Sequence, residues 1–286
     1  MTRFVRLLAL AVLLPAVCAC SSLSSSRRSQ NVVSLRFAWP EHFSARVSYS
    51  YESKGPLGGN DVARRYLLTV EPGAEKGVHR LVPRDIEVFP PDYAAIIDPV
   101  PTVRFDDKGS FLGADIPELP GQQLLEALPL EPEKRAELVK NMVVKEEQSA
   151  KDFWIRLVGH WRGAALIPGE PIRLESKMVV GRGKLEMTEV PSEELYTLEA
   201  GIPCSRDEQE RRCVRLSVEA ATIGQSKAGS GPMASWRFDL VTDPDTLVPY
   251  SYRMMRKDRE DGGEDGGTQP LEESMQVEEY VFTYPH

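Results

Sequence analysis

The segment 214–220, VRLSVEA, decides the fold class. Val214, Leu216, Val218 and Ala220 take every second position, and Arg215, Ser217 and Glu219 fill the gaps. Successive side chains of an extended chain point to opposite faces. This spacing therefore puts the apolar set on a dry face and the polar set in water, as in an antiparallel sheet with one wet side. The same period continues outward. Downstream it joins Trp236, Phe238 and Leu240, then Tyr250, Tyr252 and Met254; upstream it joins Ile172, Leu174, Ser176, Met178 and Val180. In the first half, Ala45, Val47, Tyr49 and Tyr51 share a face, and Arg65 to Val70 is rich in strand-favouring residues. Thr102 to Gly113 reads as a hairpin turning at Asp106-Asp107-Lys108-Gly109.

Between these strand-rich halves the period changes to that of a helix. Leu124, Leu125 and Leu128 mark a short first helix. Glu131-Pro132-Glu133 opens a second, with Pro in the first turn, acids near its positive end and a stripe of Leu138, Val139, Met142 and Val143. Ser149-Ala150-Lys151-Asp152 reads as a capping box that starts a third. Trp154, Leu157, Val158 and Trp161 follow at helical spacing, and Gly163 is the stop.

The two halves also share an order of segments. ARVSYSYESKG (45–55) sits beside IRLESKMVVGRG (172–183), and RYLLTVEPG (65–73) beside LYTLEAG (195–201). GVHRLV (77–82) sits beside RCVRL (212–216), and TVRFDDKGSFLG (102–113) beside SWRFDLVTDPDTLVP (235–249). This is either an ancient duplication or two stretches of generic strand. The expected fold is α+β and mostly β: two antiparallel meandering halves joined by a helical segment, forming a curved half-barrel-like sheet. The expected organisation is a signal segment (1–19), a polar tether (20–30), an N-terminal β half (31–118), a helical insert (119–163) and a C-terminal β half (164–286).

Composition narrows the function. Loss of residues 1–19 would remove two arginines and no acid, moving the net charge from −8 to −10. That balance argues against nucleic acid and against adsorption to anionic lipid heads, both of which reward a basic face. A hydrophobic content of 41% suffices for a sizeable core. Cys204 and Cys213 flank the polar run SRDEQERR (205–212), and in an oxidising compartment they are expected to form a disulfide at the base of a solvated turn. Two cysteines with no histidine nearby are too few for zinc, so no metal or other cofactor is expected. DGGEDGG (261–267) reads as a loop; its spacing is not that of a calcium-binding loop.

The amino terminus carries the most specific motif. Arg3 and Arg6 precede the apolar run Leu7 to Leu14, and the run to Ala19 is shorter than the roughly 20 residues of a membrane-spanning helix. Val17-Cys18-Ala19-Cys20 resembles the lipobox of bacterial lipoproteins. The resemblance implies cleavage after Ala19 and lipid on Cys20, and Ser21 implies the outer membrane. Several acyl chains, at ~0.8 kcal/mol per buried methylene, would hold the chain there.

Catalytic motifs are missing from the sequence: there is no Gly-x-Ser-x-Gly, no phosphate-binding Gly-Lys-Ser/Thr loop and no His-Glu-x-x-His. His42, His79, His160 and His286 are scattered. The remaining candidates are aromatic. Trp154 and Trp161 on one helix face and Trp236 on a strand would either line an apolar ligand pocket or pack the helices onto the sheet. The leading expectation is a non-enzymatic envelope protein, membrane-bound through its lipid, that binds an apolar ligand such as a lipid or an envelope protein partner. The alternatives are an envelope hydrolase using carboxylates that no linear motif reveals, and a structural lipoprotein with no small ligand. In its order of elements the body resembles the lipoprotein-carrier half-barrels, which cradle acyl chains between a curved sheet and helices. It also resembles periplasmic β-rich lipoproteins in which a Trp and a Pro-Gly-acid turn precede a strand, here Trp161, Pro168-Gly169-Glu170 and Ile172. Neither resemblance carries over a functional residue.

Overall fold

The computed structural model describes residues 32–55, 58–95, 99–182, 186–205, 210–223, 234–260 and 272–285. Cys20, the signal segment, the tether and Asp261–Gly267 lie outside them. In chain order the strands are β1 (Val33–Ser34), β2 (Ser44–Gly55), β3 (Gly58–Pro72), β4 (Val78–Phe89), β5 (Thr102–Asp106) and β6 (Phe111–Asp115). Two helices follow, α1 (Pro120–Ala127) and α2 (Pro132–Trp154), the second continued by a π-turn at Ile155–Gly159. The remaining strands are β7 (Ala165–Leu166), β8 (Ile172–Arg182), β9 (Glu186–Pro203), β10 (Arg212–Thr222), β11 (Ala234–Thr242), β12 (Pro249–Glu260) and β13 (Glu272–Thr283).

Eleven strands form one antiparallel sheet in the order β6-β5-β4-β3-β2-β13-β12-β11-β10-β9-β8. β1 and β7 make a separate two-stranded ladder. Neighbours in the large sheet are consecutive in the chain except at one seam, where β13 pairs with β2 and joins the two halves. The segments compared in the two halves fall at corresponding places in the two meanders, on β2 and β8, β3 and β9, β4 and β10, and β5 and β11. The edges of the sheet are β6 and β8, the strands that flank the helical insert. The insert therefore runs from one edge of the open sheet to the other.

The sheet is curled around this insert. Trp154 packs on Phe105 of β5, with ring centroids 4.8 Å apart, and Trp161 packs on Tyr196 of β9 at 6.1 Å. In a flat sheet β5 and β9, eight strand spacings apart, would be ~38 Å from one another. Trp154 and Trp161 are seven positions apart across the π-turn, only about 10 Å at helical rise. Contact at both ends is possible only if the sheet wraps toward the helix. The inner face carries much of the apolar set read from the sequence: Ala45, Val47, Val214, Leu216, Val218, Phe238, Leu240 and Tyr252 are all buried, whereas Ile172 and Leu174 on the edge strand β8, read as a dry face, are exposed.

One end of this trough is filled. Leu35, Phe37, Trp39 and Phe43, from the segment after β1, pack with Trp154, Phe105 and Leu247. Backbone bonds tie the segment to three sides: Leu35 N to Ala164 O, Ala38 N to Thr246 O, and Val70 N to Phe43 O. The Trp39 indole donates to Leu247 O at 2.9 Å, and the Trp154 indole to Gly109 O at 2.9 Å. The buried Trp154 ring and the half-buried Trp39 ring thus each have their one polar atom satisfied. Gly109 takes a positive φ of 74° at the turn of the β5–β6 hairpin, and a Cβ there would collide with the Phe37 ring at 2.7 Å.

Two of the helix expectations are corrected. The second and third helices are one, because Ser149 lies inside α2 and caps nothing. The intervening Lys145, Glu146, Glu147 and Gln148 are good helix formers with no Gly or Pro among them, so the chain has no reason to stop. The helical run also ends earlier than expected, at Gly159; Gly163 closes the turn that follows, with φ 76° and its N–H donating to Leu35 O. Cys204 and Cys213 are bonded to each other, both buried, where β9 gives way to β10.

Candidate functional site

Burial along the inner face falls off away from the filled end, row by row across the strands. Leu198, Leu216, Leu240 and Tyr252 form one cross-strand row and are almost completely buried. The same row continues through Tyr280, Tyr49 and Arg64, which are half-buried. One register further along, Met254, Glu278 and Tyr51 are half-buried and lead to Val62. The next row holds Trp236 and Ser53, half-buried, on either side of the exposed Arg256 and Gln276. The inner face thus passes from a packed core, through an apolar and aromatic belt, to a polar rim.

Helix α2 follows the same gradient. Ala150 and Trp154 are buried, whereas Leu138, Val139, Met142 and Val143, on the same helical stripe, are only half-buried. Helix α1 lies against this stripe, where a Cβ on Gly121 would meet the Met142 methyl at 2.5 Å. Phe153 faces the sheet between Tyr252 and Tyr280, at 5.7 and 4.9 Å.

The belt holds a charged group at its centre. Arg64 lies over the Tyr49 ring, its guanidinium carbon 5.3 Å from the centroid. Arg156 enters from the π-turn and acts electrostatically on both Glu278 and Tyr252. Burial pushes the Glu278 carboxyl above its usual range, and the pull of Arg156 and Arg64 only partly offsets this. Burial likewise raises the phenols of Tyr49, Tyr252 and Tyr280. Tyr280 keeps accessible surface although its hydroxyl is strongly desolvated. That combination belongs to a side chain lining a concavity, which solvent reaches but protein surrounds.

The outer face differs. A groove of about 450 Å³ crosses β8 to β12 there. Its walls include Arg173 paired with Glu193, and Arg237 paired with Glu219 at 2.7 Å. These are cross-strand ion pairs between solvated partners, which stabilise a sheet modestly and leave little charge for a ligand.

The structure separates the three tryptophans singled out from sequence. Trp154 and Trp161 are 1% and 2% exposed, each with its indole N–H bonded to a backbone carbonyl, so they are the packing that holds the helix in the trough. Trp236 alone of the three stands in the half-buried belt, beside Phe238. The sequence did not mark Arg64, Arg156 or Glu278, and it showed Tyr252 only as part of a strand's dry face. Glu278 offered no clear local signal, because Met275, Val277 and Val281 alternate on the opposite face of the same strand. Among the described residues no group of three or more His, Cys, Asp or Glu is placed to hold a metal ion, and no helix is long and apolar enough to cross a membrane.

No protein-family model matches the chain, and no curated protein matches it. A solved structure described as "Lipid-protein interactions in lipovitellin" is similar at 9% sequence identity and a TM-score of 0.39, over 86% of this chain and 25% of that one. The chain spans about a quarter of that protein's length. The fold defines a class of architecture, an open antiparallel sheet curled around a helical insert with one end filled.

Proposed function

We propose that this protein is a non-enzymatic envelope protein that holds an apolar ligand in the trough between the curled sheet and α2. The supporting observation is the half-buried belt of Tyr49, Tyr51, Met254, Trp236 and Tyr280 beyond the filled core, with Phe153 of α2 packed over Tyr280 at 4.9 Å. Concave, mostly apolar surfaces with a few polar groups are where small ligands bind. The lipobox-like Val17-Cys18-Ala19-Cys20 supports a lipid anchor on Cys20 and an outer-membrane location.

Native mass spectrometry of the Cys20→Ala chain, purified without detergent exchange, tests the binding. The expected result is a reproducible non-covalent mass, reduced by Met254→Asp together with Trp236→Ala in a protein that still melts cooperatively. A wild-type trough that carries no mass and takes up no added lipid would refute ligand binding and leave a protein partner as the better reading. Fractionation tests the anchor separately: wild type in the outer-membrane fraction, and Cys20→Ala released and unprocessed by lipoprotein maturation. A soluble wild type would overturn it.

A further inference from the structure

Within the belt, two permanent cations face one carboxyl. Arg64 comes from β3 and Arg156 from the π-turn, so the sheet and the helix each bring one. The Nε atoms of both are buried and have no hydrogen-bond partner among the described residues, and neither has the Tyr252 hydroxyl. Tyr252 itself is fully buried, at the boundary where the packed row gives way to the belt. Glu194, another acid on the inner face, is engaged by the Tyr196 hydroxyl at 2.6 Å. Buried donors without partners are costly, and folded proteins seldom keep them without a use. Here both arginines act on Glu278 and Arg156 acts on Tyr252, while Arg64 lies over Tyr49 in the same cross-strand row as Tyr252, so at Glu278 two guanidinium charges meet one carboxyl.

We propose that Arg64, Arg156 and the Tyr252 hydroxyl bind the monoanionic head of a single-chain amphiphile whose tail lies along the belt. The inference rests on the apolar-trough reading above and deepens it. A guanidinium presents a planar fork of donors that matches a carboxylate or a phosphodiester, and each bond to a charged acceptor is strong where water is scarce. The excess of one charge selects a monoanion. Glu278 limits that excess, so a dianionic head would bring uncompensated charge into the trough.

Calorimetric titration of the Cys20→Ala chain with three probes is decisive: oleate, lysophosphatidylglycerol and the neutral monoolein, each below its aggregation concentration. One or both anions should bind at least about tenfold tighter than monoolein, the discrimination expected from a single charged hydrogen bond. Oleate alone would identify a carboxylate head, lysophosphatidylglycerol alone a phosphodiester. Arg64→Met with Arg156→Met keeps chain length and should remove the preference while leaving monoolein affinity within about twofold. Tyr252→Phe, which keeps the ring and should fold whatever the arginine variants do, should weaken the anions several-fold and spare monoolein. Equal affinity for all three probes would overturn head recognition and leave the trough reading standing. No binding of any probe would overturn both.

Discussion

Tyr252→Phe carries a prediction whose sign is the reverse of the usual core substitution. The side chain is 0% exposed, packed against Phe153 and Phe238, and its hydroxyl has no partner among the described residues. Burying a hydroxyl without a hydrogen bond costs about 1–3 kcal/mol, and removing it leaves the ring contacts in place. The variant should therefore be more stable than the wild type in the absence of ligand, by about 1 kcal/mol after some loss of dispersion contacts. For a folded unit of this size that is a rise of about 2–4 °C in Tm. The assay is urea unfolding followed by tryptophan fluorescence, with delipidated Cys20→Ala protein as the reference. A midpoint shift at unchanged slope reports stability alone. Adding the preferred anion should reverse the order, because only the wild type gains the extra bond. A destabilisation of about 1 kcal/mol or more in delipidated protein would mean that the hydroxyl is already satisfied, for example by an ordered water, and would refute the reasoning.

Other perturbations have equally definite outcomes. Trp154→Ala should cost about 3–5 kcal/mol, because it opens a cavity at the junction of Phe37, Trp39 and Phe105; a loss under 1 kcal/mol in chemical denaturation would contradict that packing. Burial raises the Asp239 carboxyl, but bonds from Arg237 and Ser217 outweigh it and hold it below its usual range. Its stabilisation is thus present above the ordinary carboxylate pKa and is lost as pH falls through the lower folded value. The deficit of Asp239→Asn should shrink on acidification; a pH-independent deficit would refute the linkage. Glu278 runs the other way. Its folded pKa is raised, so wild type should match Glu278→Gln at acidic pH and fall behind as pH rises above the usual glutamate range, read by unfolding midpoints across pH. Reduction of Cys204–Cys213 should cost up to about 3 kcal/mol through the freed turn, and an unchanged midpoint in reductant would remove the bond from the list of stabilising features.

The sequence by itself determined most of the strands, the dry faces of β2, β10 and β11, the disulfide and the place of the helical insert. These are local properties. A period of two is written into VRLSVEA, and a short loop brings Cys204 and Cys213 together whatever the rest of the chain does. The sequence misjudged β8, an edge strand whose Ile172 and Leu174 are exposed. The break expected at Ser149 failed because a capping box sets only a weak preference and a run of helix formers overrides it. Only the tertiary structure decided that β13 pairs with β2, that the sheet curls until β5 and β9 touch one helix, and which tryptophans fill the core. The candidate site depends on those decisions. Arg64, Arg156, Tyr252 and Glu278 come from four elements spread over more than two hundred positions, and no spacing in the chain relates them. The physical reason is that a side chain's face is set by its neighbours in sequence, whereas what stands opposite that face is set by strand order and sheet curvature, which are properties of the whole packed chain.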